Sequence, residues 1–91
     1  MLDRTRIDVL PIQVAVATAS PGAWRDGIAV TRSEDALTIV LLDGQVAVLT
    51  TSAAPALGEP VAVHPVAEVV AIGGTWYSAR SLAGWDAGIA R

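Results

Sequence analysis

Leu37-Thr38-Ile39-Val40-Leu41-Leu42-Asp43-Gly44-Gln45-Val46-Ala47-Val48-Leu49-Thr50 decides the fold. Two runs of Val, Ile, Leu and Thr flank an Asp-Gly pair, the strongest short-range signal for a β-hairpin. The pair predicts a two-residue type I′ turn, which needs positive φ at both central positions.

Downstream, Thr51 to Glu59 is rich in Ala, Ser and Pro and ends in Leu57-Gly58-Glu59-Pro60, a loop before the strand Val61-Ala62-Val63. His64-Pro65 interrupts that strand, and Val66 to Ile72 predicts the next. Gly73-Gly74 predicts a second hairpin turn, closed by a last short strand at Thr75-Trp76-Tyr77-Ser78. Upstream, Ser33-Glu34-Asp35 reads as a turn and Ile28 to Arg32 as a strand, entered from a loop in which Ser20-Pro21-Gly22 and Asp26-Gly27 bracket Trp24. Ile7 to Thr18 reads as a further strand, because Ile12, Val14 and Val16 alternate with Gln13, Ala15 and Ala17. Pro11 cannot donate to a ladder, so it marks an edge or a kink there.

Six or so short strands with frequent Gly and Pro turns predict an all-β fold, a small five- or six-stranded barrel of the OB or a related type. Residues 1–10 form an N-terminal arm, 11–80 the barrel and 81–91 a C-terminal tail without periodicity. In the arm and first strand, Leu2 to Val16, the apolar residues keep to no single face. This predicts packing against another subunit, the alternative being a disordered extension over 1–10.

Composition narrows the function. The chain has 91 residues, enough for one core. Apolar residues make up 53%, but seventeen of them are alanine, so the burial comes mainly from Val, Ile and Leu. Charged residues are only 16%, lysine is absent and the net charge is −3. Six scattered arginines offer no footprint for nucleic acid. No cysteine is present, so disulfides, thiolate metal sites and cysteine nucleophiles are out of reach. No apolar stretch reaches the roughly 18 residues of a membrane span, and Met1 to Arg6 does not read as a signal peptide.

Catalytic and metal chemistry finds no foothold. His64 is the only histidine, and the residue before Pro65 is pushed to extended geometry, so a structural or solvent-facing role is expected. The serines lie in or beside turns, and Glu34-Asp35 is an adjacent acidic pair on a turn. No enzyme, cofactor or metal is expected. Trp24, Trp76, Tyr77 and Trp85 are the only aromatic residues. Trp76 and Tyr77 are strand neighbours and face opposite ways, with Trp76 expected to plug the barrel, the alternative being a contact surface with Tyr77. Leu10, Ile12, Trp24, Tyr77 and Trp85 are the candidate partner contacts, since exposed aromatic and apolar side chains anchor protein–protein interfaces.

The order of the Asp43-Gly44 hairpin, the Leu57-Gly58-Glu59-Pro60-Val61-Ala62-Val63 loop and strand and the closing Gly73-Gly74-Thr75-Trp76 element resembles the small tail-associated or head-to-tail structural proteins of tailed bacteriophages of actinobacteria. The likeness covers roughly residues 37 to 78, departing where Glu59 replaces an aspartate and His64-Pro65 breaks a strand. It implies a small β-barrel built into a virion in several copies, made in the host cytoplasm, contacting itself and other virion proteins. The function expected is that of a homo-oligomeric structural subunit in tail, connector or capsid surface. The alternative is a monomeric barrel that binds a carbohydrate or peptide.

Overall fold

A computed structural model describes residues 5–34 and 36–81. Its elements are β1 (Thr5–Ile7), α1 (Pro11–Ala19), a 3-10 turn at Pro21–Ala23, β2 (Arg25–Arg32), β3 (Ala36–Leu41), β4 (Val46–Thr51), β5 (Pro60–His64), β6 (Val69–Ile72) and β7 (Thr75–Ser81). Strands β2-β3-β4 and β5-β6-β7 are two antiparallel meanders. Pairing of β2 with β5 and of β4 with β7 closes them into a six-stranded barrel. This is the small barrel that the sequence predicts, with one strand and one helix added.

Alternation selects the interior. Leu37, Ile39 and Leu41 of β3, Leu49 of β4, Val61 and Val63 of β5 and Val70 of β6 point inward and are buried with Ala29, Ala47, Ala53 and Ala79. Each large aliphatic side chain taken out of water contributes about 1.5–3 kcal/mol. The Arg25–Asp43 ion pair lies on the surface with both side chains partly exposed, where such pairs contribute about 1 kcal/mol at most. The aliphatic interior therefore dominates.

Asp26-Gly27 lies inside β2 and not in a turn. Gly27 occupies an inward position where an added Cβ would stand 2.6 Å from Ile39 Cγ2 and 2.8 Å from the Val40 carbonyl oxygen. Glycine is there for close approach, not for turning. The β3–β4 turn also differs from the expected type. The Gly44 N–H donates to the Leu41 oxygen at 2.8 Å, and the Leu41 N–H donates to Gln45 at 2.8 Å. Gly44 has φ 90, whereas Asp43 keeps a negative φ. Leu42-Asp43-Gly44 is thus a three-residue loop, a tight turn followed by a left-handed glycine, instead of type I′.

The segment Ile7 to Thr18 is not a strand. Residues 5–7 form β1, parallel to β7 with Thr5 opposite Thr75, and residues 11–19 form α1. Pro11 sits at the first helical position, where its missing N–H costs nothing, and Gln13 Oε1 accepts the Leu10 N–H at 2.8 Å. Gln13, Val14, Val16 and Ala17 turn toward the barrel while Ile12, Ala15 and Thr18 are exposed, the spacing of a helix face. Of the expected arm, Val9, Val14 and Val16 pack on its own barrel, and Ile7, Leu10 and Ile12 stay exposed. Finally, β6 starts at Val69 because residues 65–68 form a turn, closed by the Glu68 N–H donating to His64 O at 2.8 Å with Glu68 at φ 60. β7 runs on past Ser78 to Ser81.

Candidate interaction surface

The outside of the barrel has two apolar regions, one covered and one bare. The covered region lies over β6 and β7. Val9, Val14, Val16 and Ala17 of the helical segment pack there with Ala67, Val69, Trp24 and Trp76. Trp76 thus points out of the barrel and is buried beneath α1, while its neighbour Tyr77 packs against the interior cluster. This reverses the expectation that Trp76 plugs the barrel.

His64 seals this joint. It is fully buried; its Nδ1 accepts the Ala67 N–H at 3.1 Å, so Nε2 carries the proton and donates to the Ser20 oxygen at 2.9 Å. Trp24 meets the imidazole edge-on at 5.1 Å and lies 5.2 Å from Trp76. Gln13 Nε2 lies 2.9 Å from Glu68 O, 3.1 Å from Ala67 O and 3.2 Å from Ser78 Oγ, which pins the helix to the turn and to β7.

The bare region lies over β4, β3, β2 and β5. Val46 pairs with Val40, Val40 with Ile28, and Ile28 with Pro60, so four outward apolar side chains stand in one row across four strands. Val46 and Pro60 are exposed and Ile28 and Val40 half-buried. Leu42, 73% exposed at the hairpin tip, stands beside the row. Leu42 itself lines an open groove of about 440 Å³ together with Asp26, Ile28, Pro60, Ala62 and Ala71. Beyond Ile28 the strand β2 bulges between Ala29 and Thr31, so that Arg32 pairs with the inward Leu37 and lies off this face.

A second hollow, about 460 Å³, is polar and includes Asp8, Glu34, Ser52, Ser78 and Arg80. Within it Asp8 accepts the Ser78 N–H at 3.0 Å and the Ser52 hydroxyl at 3.4 Å. Among the described residues no three His, Asp or Glu side chains converge as metal ligands. Among them, too, no helix is long and apolar enough to cross a membrane.

Of the residues singled out from the sequence, Leu10 and Ile12 are exposed at the start of α1, at 60% and 64%. Trp24 and Tyr77 are half-buried in separate clusters. Trp85 lies outside the described residues. The structure does not gather these positions into one surface, and the bare row contains none of them. Part of its signal is in the hairpin itself, where Val40, Val46 and Val48 are apolar at outward positions that they share with Thr38 and Thr50. No protein-family model matches the chain, nor does any curated protein or any solved structure.

Proposed function

We propose that this protein is a structural subunit of a bacteriophage virion, a β-barrel that acts through protein–protein contacts and carries out no catalysis. The observation that supports contact as its business is the row Val46, Val40, Ile28 and Pro60, with Leu42 beside it. Wet faces of antiparallel sheets are normally polar, and contiguous exposed apolar surface marks an interaction site. The virion setting rests on the resemblance of the turn order over residues 37 to 78. The test is mass spectrometry of density-purified particles from a host expressing the gene with its neighbours. Copies present in stoichiometric amount are the expected result, and a protein found only in the soluble fraction would overturn the reading.

A carbohydrate-binding barrel would need an aromatic platform. Trp24, Trp76 and Tyr77 are instead committed to packing, with Trp76 only 7% exposed. The structural reading is therefore preferred.

A further inference from the structure

We infer that the stretch of β4 from Val46 to Val48 is a docking edge for a strand, and that its occupant is the chain's own Leu82-Ala83-Gly84, which continues β7 and brings Trp85 level with Gln45. The contact does not depend on the virion setting.

The seam that closes the barrel is short. Strand β4 pairs with β3 from Val46 to Thr50, but with β7 only from Leu49 to Thr51. Among the described residues no strand lies along the second edge of Val46, Ala47 and Val48. Hydrogen-bond alternation shows which groups face that edge. The Leu41 N–H donates to the Gln45 oxygen at 2.8 Å, so Leu41 and Gln45 form a hydrogen-bonded pair, and Ile39 with Ala47 forms the next. Val46 and Val48 therefore direct their N–H and C=O groups away from β3, toward the open edge. Backbone groups on such an edge are a template for another strand.

Three observations favour residues 82–84 as that strand. The first is continuity. Ser81 stands opposite Leu49, so the same register sets Leu82 opposite Val48, Ala83 opposite Ala47 and Gly84 opposite Val46, with no loop to close. The second is the direction of the hydrogen bonds. On β7 the Ser78 N–H points to the side of β1 and β4, where Asp8 accepts it, and the Ala79 N–H points the other way, to the Glu68 oxygen. Leu82 and Gly84 share the parity of Ser78 and so offer their backbone groups to Val48 and Val46. The third is size and chemistry. The inward position opposite Ala47, itself 6% exposed, falls to another alanine, and none of the three residues is a proline, so each keeps its N–H. A strand from another molecule would first have to displace one that is tethered beside its site.

The test is nuclear magnetic resonance on the full chain. Ala47 and Ala83 would form a non-hydrogen-bonded pair, with Cα atoms about 4.5 Å apart, so a cross-strand NOE between their α-protons is expected. The Val46 and Val48 amides should resist hydrogen exchange. Leu82→Pro combined with Gly84→Pro removes both N–H groups that the pairing uses, and should speed exchange at Val46 and Val48 by roughly tenfold or more while the Ile39 and Val63 amides stay protected. Ala87→Pro, past the pairing, should leave Val46 and Val48 as they are in the wild type. Absence of the NOE, free exchange at Val46 and Val48 in the wild type, or protection that survives the double substitution would each overturn the contact. Protection that grows with concentration, together with a dimer in sedimentation, would mean that the strand comes from a second copy and would overturn the intramolecular assignment.

Discussion

Asp8 and Ser78 meet where β7 changes partners. Along one edge, β7 pairs with β1 over residues 75–77 and with β4 over residues 79–81, leaving the Ser78 N–H between the two ladders. The Asp8 carboxylate accepts that N–H at 3.0 Å, while φ 53 at Asp8 turns the chain away toward α1. Aspartate tolerates this left-handed conformation better than most residues and supplies the missing acceptor. Asp8→Ala should therefore cost about 1–2 kcal/mol, from the lost bond and from the strain of alanine at positive φ. Asp8→Gly relieves the strain alone and Asp8→Asn keeps an acceptor, so both should cost less. Urea denaturation measures all three, and a wild-type-like Asp8→Ala would show that water replaces the carboxylate.

Gly27 and Gly44 should respond to substitution for opposite reasons. Gly27→Ala drives a methyl into Ile39 and the Val40 carbonyl, and should cost about 1–3 kcal/mol as overpacking. Combining it with Ile39→Val leaves both clashing atoms in place, Cγ2 and the Val40 carbonyl oxygen, so little of the loss should return. At Gly44 nothing stands within 4 Å of an added Cβ, yet φ is 90. Gly44→Ala should cost about 1 kcal/mol from conformation alone, and Gly44→Asn less. Thermal melts compare the four variants, and equal losses for Gly44→Ala and Gly44→Asn would remove the conformational account.

His64→Ala should be the most damaging single change at the joint, at about 3 kcal/mol. It opens a cavity and strands the buried Ala67 N–H, while the half-buried Ser20 carbonyl keeps the Ala23 N–H at 3.1 Å. Nitrogen-15 shifts of the imidazole check the premise independently. Nδ1 is expected at the position of an unprotonated acceptor, and a protonated Nδ1 would contradict the assigned tautomer.

Gln13→Ala should loosen α1 without opening the barrel. The side chain both receives the Leu10 N–H and reaches the turn after β5, so about 1–2 kcal/mol is at stake. Indole fluorescence from Trp24 and Trp76 should shift to the red at denaturant concentrations where the strand signal in circular dichroism is still native. Coincident loss of both signals would mean that helix and barrel melt as one unit.

The hairpins were legible in the sequence because turn chemistry is local. Asp43-Gly44 and Gly73-Gly74 both join antiparallel neighbours, as read, although the first loop took in Leu42 as well. Helix α1 was not, because Ile12, Val14 and Val16 are spaced by two and fit either period, which left Pro11 and Gln13 as the deciding signals. Asp26-Gly27 reads as a turn in the sequence because the need for a missing side chain at Gly27 arises only once β3 lies across from it. The bare row is half legible: Val40 and Val46 face each other within the hairpin, and Ile28 and Pro60 join them only in the folded sheet.

The pairing of β1 with β7 sets an order on the chain's emergence from the ribosome. Asp8 and Ser78 are separated by 70 positions, so the N-terminal segment is synthesised long before the strand that receives it. The β2-β3-β4 meander needs only near neighbours and can form early, whereas β1 and α1 must wait for Trp76 and Ser78. Through that interval Val9, Val14 and Val16 have no cover, which makes the nascent N-terminus the stretch most in need of a chaperone's attention.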